Sequence, residues 1–163
     1  MRNRLVVLKT EVDPRWIDGN GHVSDRYYTQ VFSDAEVAFL EHIGADKAYW
    51  LEHSGHVYTA ENHLTFLSEI LLGDTMEVAV GIVDYSEKAL HLSLEMYNAT
   101  GMLCAHHETI VLHVTKDAGN RPFVSEFSPK LRSSILQFER HYGRVSESPY
   151  CSKPLGIRRK KQS

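Results

Sequence analysis

Asp18 stands in the run Pro14-Arg15-Trp16-Ile17-Asp18-Gly19-Asn20-Gly21-His22-Val23, a glycine-kinked loop that opens into an apolar helical pattern beginning with Tyr27-Tyr28. A carboxylate in that place can act as a base or a nucleophile. The unpaired amides and positive dipole end of the following helix can polarise a carbonyl oxygen, so the pair suits attack on an ester or thioester. Asp-Gly and Asn-Gly pairs also make turns for backbone reasons alone, and a plain turn role for Asp18 stands beside the chemical one. Asn20 and His22 can position water or a ligand by hydrogen bonds, or hold the turn.

Other constellations are weaker. Glu61, His63 and Thr65 alternate, so all three project from one face of a strand, a face expected to pack on the helix, where two ionisable groups call for partners. They read either as an internal Glu-His pair or as pocket lining. Trp16, Tyr27, Tyr28, Trp50 and Tyr58 are core residues by type, and one or two could instead form an aromatic wall for a trimethylammonium group. His53, His56, His106, His107 and His113 invite a zinc reading, but neighbours on a strand face opposite ways and no HExxH occurs; no metal and no cofactor is expected. Gly19-Asn20-Gly21 is not a phosphate loop.

These residues need elements to hold them. Arg4 to Glu11, rich in strand formers and ended by Asp13-Pro14, predicts a first strand. From Ser24, a plausible N-cap, Tyr27, Tyr28, Val31, Phe32, Ala35, Ala38, Phe39 and Ile43 recur at spacings of three and four until Gly44, predicting one helix with a broad apolar face. A short helical segment at 46–53 precedes strands at 57–67, 74–85, 90–98 and 102–115, joined by tight turns. The expectation is a five-stranded antiparallel sheet, with a C-terminal helix at 129–142. Residues 1–145 form one domain, and 146–163, with prolines and Arg158-Arg159-Lys160-Lys161, read as a flexible basic tail.

Composition narrows the partners. A formal net charge of −3 and pI near 6.4 over 163 residues argue against nucleic acid, which selects a basic surface. Cys104 and Cys151 lie far apart and match no disulfide or CxxC framework, as expected in a reducing compartment. Leu5-Val6-Val7-Leu8 is too short for a signal-peptide core, and no run approaches a membrane span, so a cytoplasmic protein without a membrane partner is expected, with Asn98-Ala99-Thr100 unglycosylated.

PRWIDGNGHVSDRYY, ENHLTFLSEILLGD and DYSEKALHLSLEMYNATGMLCAHHETIVLHV together resemble the 4-hydroxybenzoyl-CoA thioesterase-like group of hotdog proteins. Within that group they resemble the betainyl-CoA thioesterases of carnitine breakdown. The resemblance covers roughly Val12 to Val114. It implies an α+β hotdog fold, an antiparallel sheet wrapped around a long helix, acting as a homodimer or homotetramer on an acyl-CoA substrate. It also implies that Asp18 is the catalytic carboxylate and that amides around Ser24, Asp25 and Arg26 receive the thioester carbonyl. Tyr27 and Tyr28 follow as substrate contacts, and Glu61, His63 and Thr65 line a pocket at the subunit junction. Where many relatives carry a second aspartate two positions earlier, this chain has Trp16; where they continue Gly-His-Met-Asn, it has Gly21-His22-Val23-Ser24. In the same fold a hydratase or dehydratase would need a paired acid and base, and a non-catalytic acyl-CoA-binding module would have no need of Asp18.

Overall fold

A computed structural model describes residues 3–146 and 149, so the basic tail falls almost wholly outside the described residues. The elements are β1 (Leu5–Glu11), a short 3-10 turn (Pro14–Trp16), α1 (Asp25–His42), α2 (Lys47–His53), β2 (Gly55–Phe66), β3 (Thr75–Tyr85), β4 (Ala89–Tyr97), β5 (Leu103–Lys116), β6 (Pro122–Val124) and α3 (Pro129–Tyr142). The strands form one antiparallel sheet in the order β1-β3-β4-β5-β2, with β6 on β5. The sheet therefore has six strands, not five. β6 carries no alternation that sequence could show: it is three exposed residues led by a proline.

The sheet lies against α1 through one face. Leu90, Leu92 and Leu94 of β4 stand opposite Val111, Thr109 and His107 of β5, and the leucines share a buried cluster with Tyr28, Val31, Phe32, Ala35 and Phe39 of α1. Each large side chain so buried contributes about 1.5–3 kcal/mol relative to exposure. That broad helical stripe produces the hotdog layout, a long helix held in an antiparallel sheet. Gly44, at φ 92, takes the left-handed conformation that ends α1. α3 starts on Ser128, whose hydroxyl accepts the Leu131 N–H, and seals the far end of α1 through Phe138 on Phe39, ring centroids 5.1 Å apart.

β2 departs from the expectation in one respect. A bulge between Thr59 and Glu61 shifts its register, so Glu61, His63 and Thr65 stand opposite Ile110, Glu108 and His106. These lie on the face turned away from α1. The helix-facing set is instead Val57, Thr59, Asn62, Leu64 and Phe66, fixed because Leu64 pairs with His107, whose ring lies 5.1 Å from Phe32 of α1. β2 is also a terminal strand, with its outer edge unpaired among the described residues.

Candidate active site

The loop before α1 is held from both sides. Asp18 N–H donates to His22 C=O at 2.8 Å and Gly21 N–H to Asp18 C=O at 3.1 Å, closing a tight turn in which Gly21 sits at φ 87. Val23 N–H donates to Ile70 C=O and Ser24 N–H to Trp16 C=O, each at 2.9 Å, which ties the loop to the segment leaving β2. The Asp18 carboxylate accepts the Asn20 backbone N–H at 2.8 Å, and that bond holds its pKa below the usual value despite some desolvation. Asp18 is therefore ionised at neutral pH and points into solvent, as a base or nucleophile must.

A depression of about 330 Å³ opens beside it, lined by Asp18, His22, Val23, Asp25, Tyr28, Phe66, Leu67, Ser68 and Glu69. The start of α1 supplies one side. Here the amides sort themselves: Ser24 N–H is spent on Trp16 and Arg26 N–H on the Asp25 carboxylate at 2.8 Å, while among the described residues no hydrogen bond engages Asp25 N–H. Ser24 occupies the N-cap position, yet its hydroxyl donates to the Asp25 carboxylate at 3.3 Å rather than capping the helix. Tyr28 is buried edge-on against Phe66, centroids 5.2 Å apart, and desolvation pushes its phenol up to about 12, so it stays protonated. His22 Nε2 lies 3.1 Å from the Glu69 carboxylate.

The depression thus gathers Asp18, His22, Asp25 and Tyr28 of the sequence-predicted residues. Asn20, Ser24 and Arg26 are not among the lining residues: Asn20 donates to the Asp18 carboxylate, and the Ser24 hydroxyl and Arg26 N–H donate to the Asp25 carboxylate. Tyr27 is engaged elsewhere: Trp16 stacks on it at 5.4 Å and the Arg26 guanidinium lies 4.7 Å from its ring centre. Glu61, His63 and Thr65 do not line the depression in the single chain, because the β2 register turns them to the other face. Sequence reasoning missed Phe66, Leu67, Ser68 and Glu69, which come to the site through tertiary contacts, the pairing of His22 with Leu71 and the Val23 N–H bond to Ile70 C=O. Outside the depression, the carboxyl of Glu36 on α1 accepts the Thr59 hydroxyl at 3.2 Å and is raised in pKa by desolvation.

Elsewhere His91, His106 and His113 have structural partners. On the face away from α1, His91 Nε2 meets the Glu108 carboxylate at 2.7 Å with both side chains 1% exposed, and His106 Nε2 meets Ser93 Oγ at 2.8 Å. His113 is held between Tyr49 and Ser125 at 3.1 and 2.9 Å. Among the described residues no three His, Cys, Asp or Glu side chains come together in a way that could hold a metal ion, and no helix is long and apolar enough to cross a membrane.

Comparison with known proteins bears on this geometry. The family profile described as thioesterase-like superfamily matches residues 12–135. A betainyl-CoA thioesterase of Pseudomonas aeruginosa is 37% identical over 129 residues, covering 77% of this chain and 80% of that protein. An L-carnitine dehydrogenase/betainyl-CoA thioesterase of Rhizobium meliloti is 34% identical over 78% of this chain, which spans only 26% of that longer protein. Among solved structures, a hypothetical protein from Staphylococcus aureus in complex with CoA superposes with a TM-score of 0.82 at 24% identity, over 95% of this chain and 97% of that one. A Thermus thermophilus thioesterase complexed with coenzyme A and Zn gives 0.69 at 22% identity, over 86% and 98%. At those identities the two structures establish the fold alone.

Proposed function

The chain belongs to the thioesterase-like superfamily of hotdog proteins and is a thioester hydrolase, and from that premise we propose that it cleaves a short-chain acyl-CoA at the depression beside Asp18. The observation that carries this reading is the pairing of an ionised, exposed loop carboxylate with the first residue of a long helix, Asp25, whose N–H has no hydrogen bond among the described residues, on the wall of one depression. Asp18 attacks the thioester carbon or activates a water that does. The Asp25 N–H and the positive end of α1 take the oxygen charge that develops, which a preorganised donor does without reorganising solvent. Hydrolysis adds one water across the C–S bond and releases a carboxylic acid and the CoA thiol.

Two features extend the reading. The likeness to a betainyl-CoA thioesterase, with Asp25 and Glu69 on the depression's rim beside Asp18, supports a small cationic acyl group such as betainyl. The edge of β2, unpaired among the described residues and with Tyr58 and Phe66 half exposed along it, supports a homodimer or a tetramer built from it.

The test is free thiol release from a panel of acyl-CoAs, with the olefinic absorbance of enoyl-CoA followed in parallel. Release of CoA thiol with burst or steady-state turnover supports the reading. Interconversion of enoyl- and hydroxyacyl-CoA without thiol release would make the protein a hydratase, and tight binding with neither reaction would make it a binding module.

A further inference from the structure

One row of residues runs straight across the face of the sheet turned away from α1. Gly81 of β3 stands opposite Ser93 of β4, Ser93 opposite Glu108 of β5, and Glu108 opposite His63 of β2. Ser93 and Glu108 are at most 1% exposed, and His91, His106 and Ile110 are buried around them. Yet α1, α2 and α3 all lie on the other side, where Phe39, Tyr49 and Phe138 share the cluster of Leu90, Leu92 and Leu94. Among the described residues no helix or strand packs over Glu108 and His63.

Two pieces of the described chain reach this face, and both stop at its β3–β4 end. Arg4 donates to Ser93 C=O and Oγ and pairs with Glu95. Val145 N–H donates to Ile82 C=O at 2.9 Å, and a Cβ added at Gly81 would lie 2.7 Å from a Val145 methyl. Gly81 shares its face with Ser93, whose hydroxyl meets His106, so Val145 sits on the outer face at the first position of the row. Arg144 fixes that exit: its guanidinium bonds Asp84 at 2.9 Å and also Glu139, and lies 4.7 Å from the Tyr85 ring centre.

These side chains are buried within one chain, so their cover belongs to that chain. His63 lies three strand spacings from Gly81, about 14 Å. The two residues before Asn3 span at most about 7 Å and fall short. The chain beyond Ser146 starts at the head of the row and is long enough to cross it. Its composition also fits. Tyr150, Leu155 and Ile157 are apolar cover, and Lys153 with Arg158-Arg159-Lys160-Lys161 complements a face that carries Glu77, Glu95 and the exposed Glu61. A buried polar row calls for hydrogen-bonding cover, and His63 Nδ1 is buried with no partner among the described residues.

We propose that the chain beyond Ser146 is a strap, docked in cis from Val145 across the row Gly81, Ser93, Glu108 and His63, with its basic end against the carboxylates of that face. It closes the polar side of the sheet as α1 closes the apolar side.

The experiment uses the full chain carrying His63→Cys. An extended path covers the row in about four to five residues, which brings Cys151 near position 63. On mild oxidation the strap predicts an intrachain disulfide there at least about tenfold faster than with Lys9→Cys, placed on β1 on the other side of Gly81. A free tail closes both loops at similar rates, because loop entropy changes slowly with length. Amide exchange on the unmodified chain is the second readout: residues 150–157 should exchange at least about tenfold slower than a free chain. Gly81→Leu, which drives Val145 off its seat, should remove that protection while β4 and β5 stay protected; Arg144→Gln carries the same comparison where the leucine variant does not fold. Equal disulfide rates, or free-chain exchange of 150–157 in the wild type, would overturn the proposal. So would protection that survives in the folded seat variants. Disulfides between chains, or protection lost on dilution, would overturn it in favour of a second copy lying over the face.

Discussion

Two groupings of carboxylate and histidine lie in this molecule, and they differ in what surrounds them. On the face of β4 and β5 turned away from α1, His91 and Glu108 are bonded to each other with 1% of either side chain exposed, beside the bonded Ser93–His106 pair and the Arg4–Glu95 ion pair. At the loop before α1, Asp18, His22 and Glu69 line an open depression, and among the described residues the carboxylate of Asp18 accepts hydrogen bonds from the adjacent turn alone. The sealed group has spent its polarity on itself, as buried charges must. The open group holds a low pKa through a backbone N–H and keeps lone pairs for something outside the chain. Residue type alone does not separate them; the availability of a partner does.

The contrast sets an order of effects. Glu108→Ala leaves His91 buried without its carboxylate, and removal of one partner of a buried pair costs about 3–5 kcal/mol. Chemical denaturation should show that loss, while the protein that remains folded releases thiol within a few-fold of wild type. Loss of turnover without loss of stability would place Glu108 in the chemistry and break the comparison.

Acid should find the sealed interior before the open loop. Burial, aided by His106, lowers the His107 pKa to about 4. Because the unfolded chain takes up that proton near pH 6.5 and the native state does not until about 4, stability falls as pH drops through this window, by roughly 3 kcal/mol in all. His107→Leu should flatten the denaturation midpoint between pH 6.5 and 4 by about that amount. Asp18, whose pKa lies below its ordinary value of 3.8, stays ionised across the same window, so an acid limb in kcat/KM should appear only below it.

A smaller effect is expected at Gly21. Its φ of 87 lies in the left-handed region and an added Cβ would meet nothing within 4 Å, so Gly21→Ala costs only backbone strain, about 1–2 kcal/mol. Relief of that strain moves the Asp18 turn, so kcat should fall more than the melting temperature suggests. An unchanged kcat would show that the turn's shape does not position the carboxylate.

Much of this was legible in the sequence because it rests on local pattern. The apolar stripe of α1, the glycine that ends it, and the alternation in Met76-Glu77-Val78-Ala79-Val80 each specify an element and a buried face. The loop carboxylate was legible through turn chemistry and resemblance together. The bulge before Glu61 was not, because an extra residue in a ladder leaves no mark on composition, and it sent Glu61, His63 and Thr65 to the face opposite the one expected. The far wall of the depression was hidden for another reason: Phe66 to Glu69 reach it by tertiary pairing with the loop, across more than forty residues of intervening chain, where no spacing rule operates. Pro122–Val124 has too few residues to carry a period.

The central claim is that the exposed carboxylate of Asp18, and not the sealed Glu108 pair, performs the hydrolysis. Its most direct test is CoA thiol release by Asp18→Asn, measured beside the melting temperature and oligomeric mass of the same preparation. The account predicts turnover reduced by about 10²–10⁴-fold, the range for loss of a general base, with melting temperature and mass unchanged. Turnover within a few-fold of wild type in a fully folded variant would contradict it.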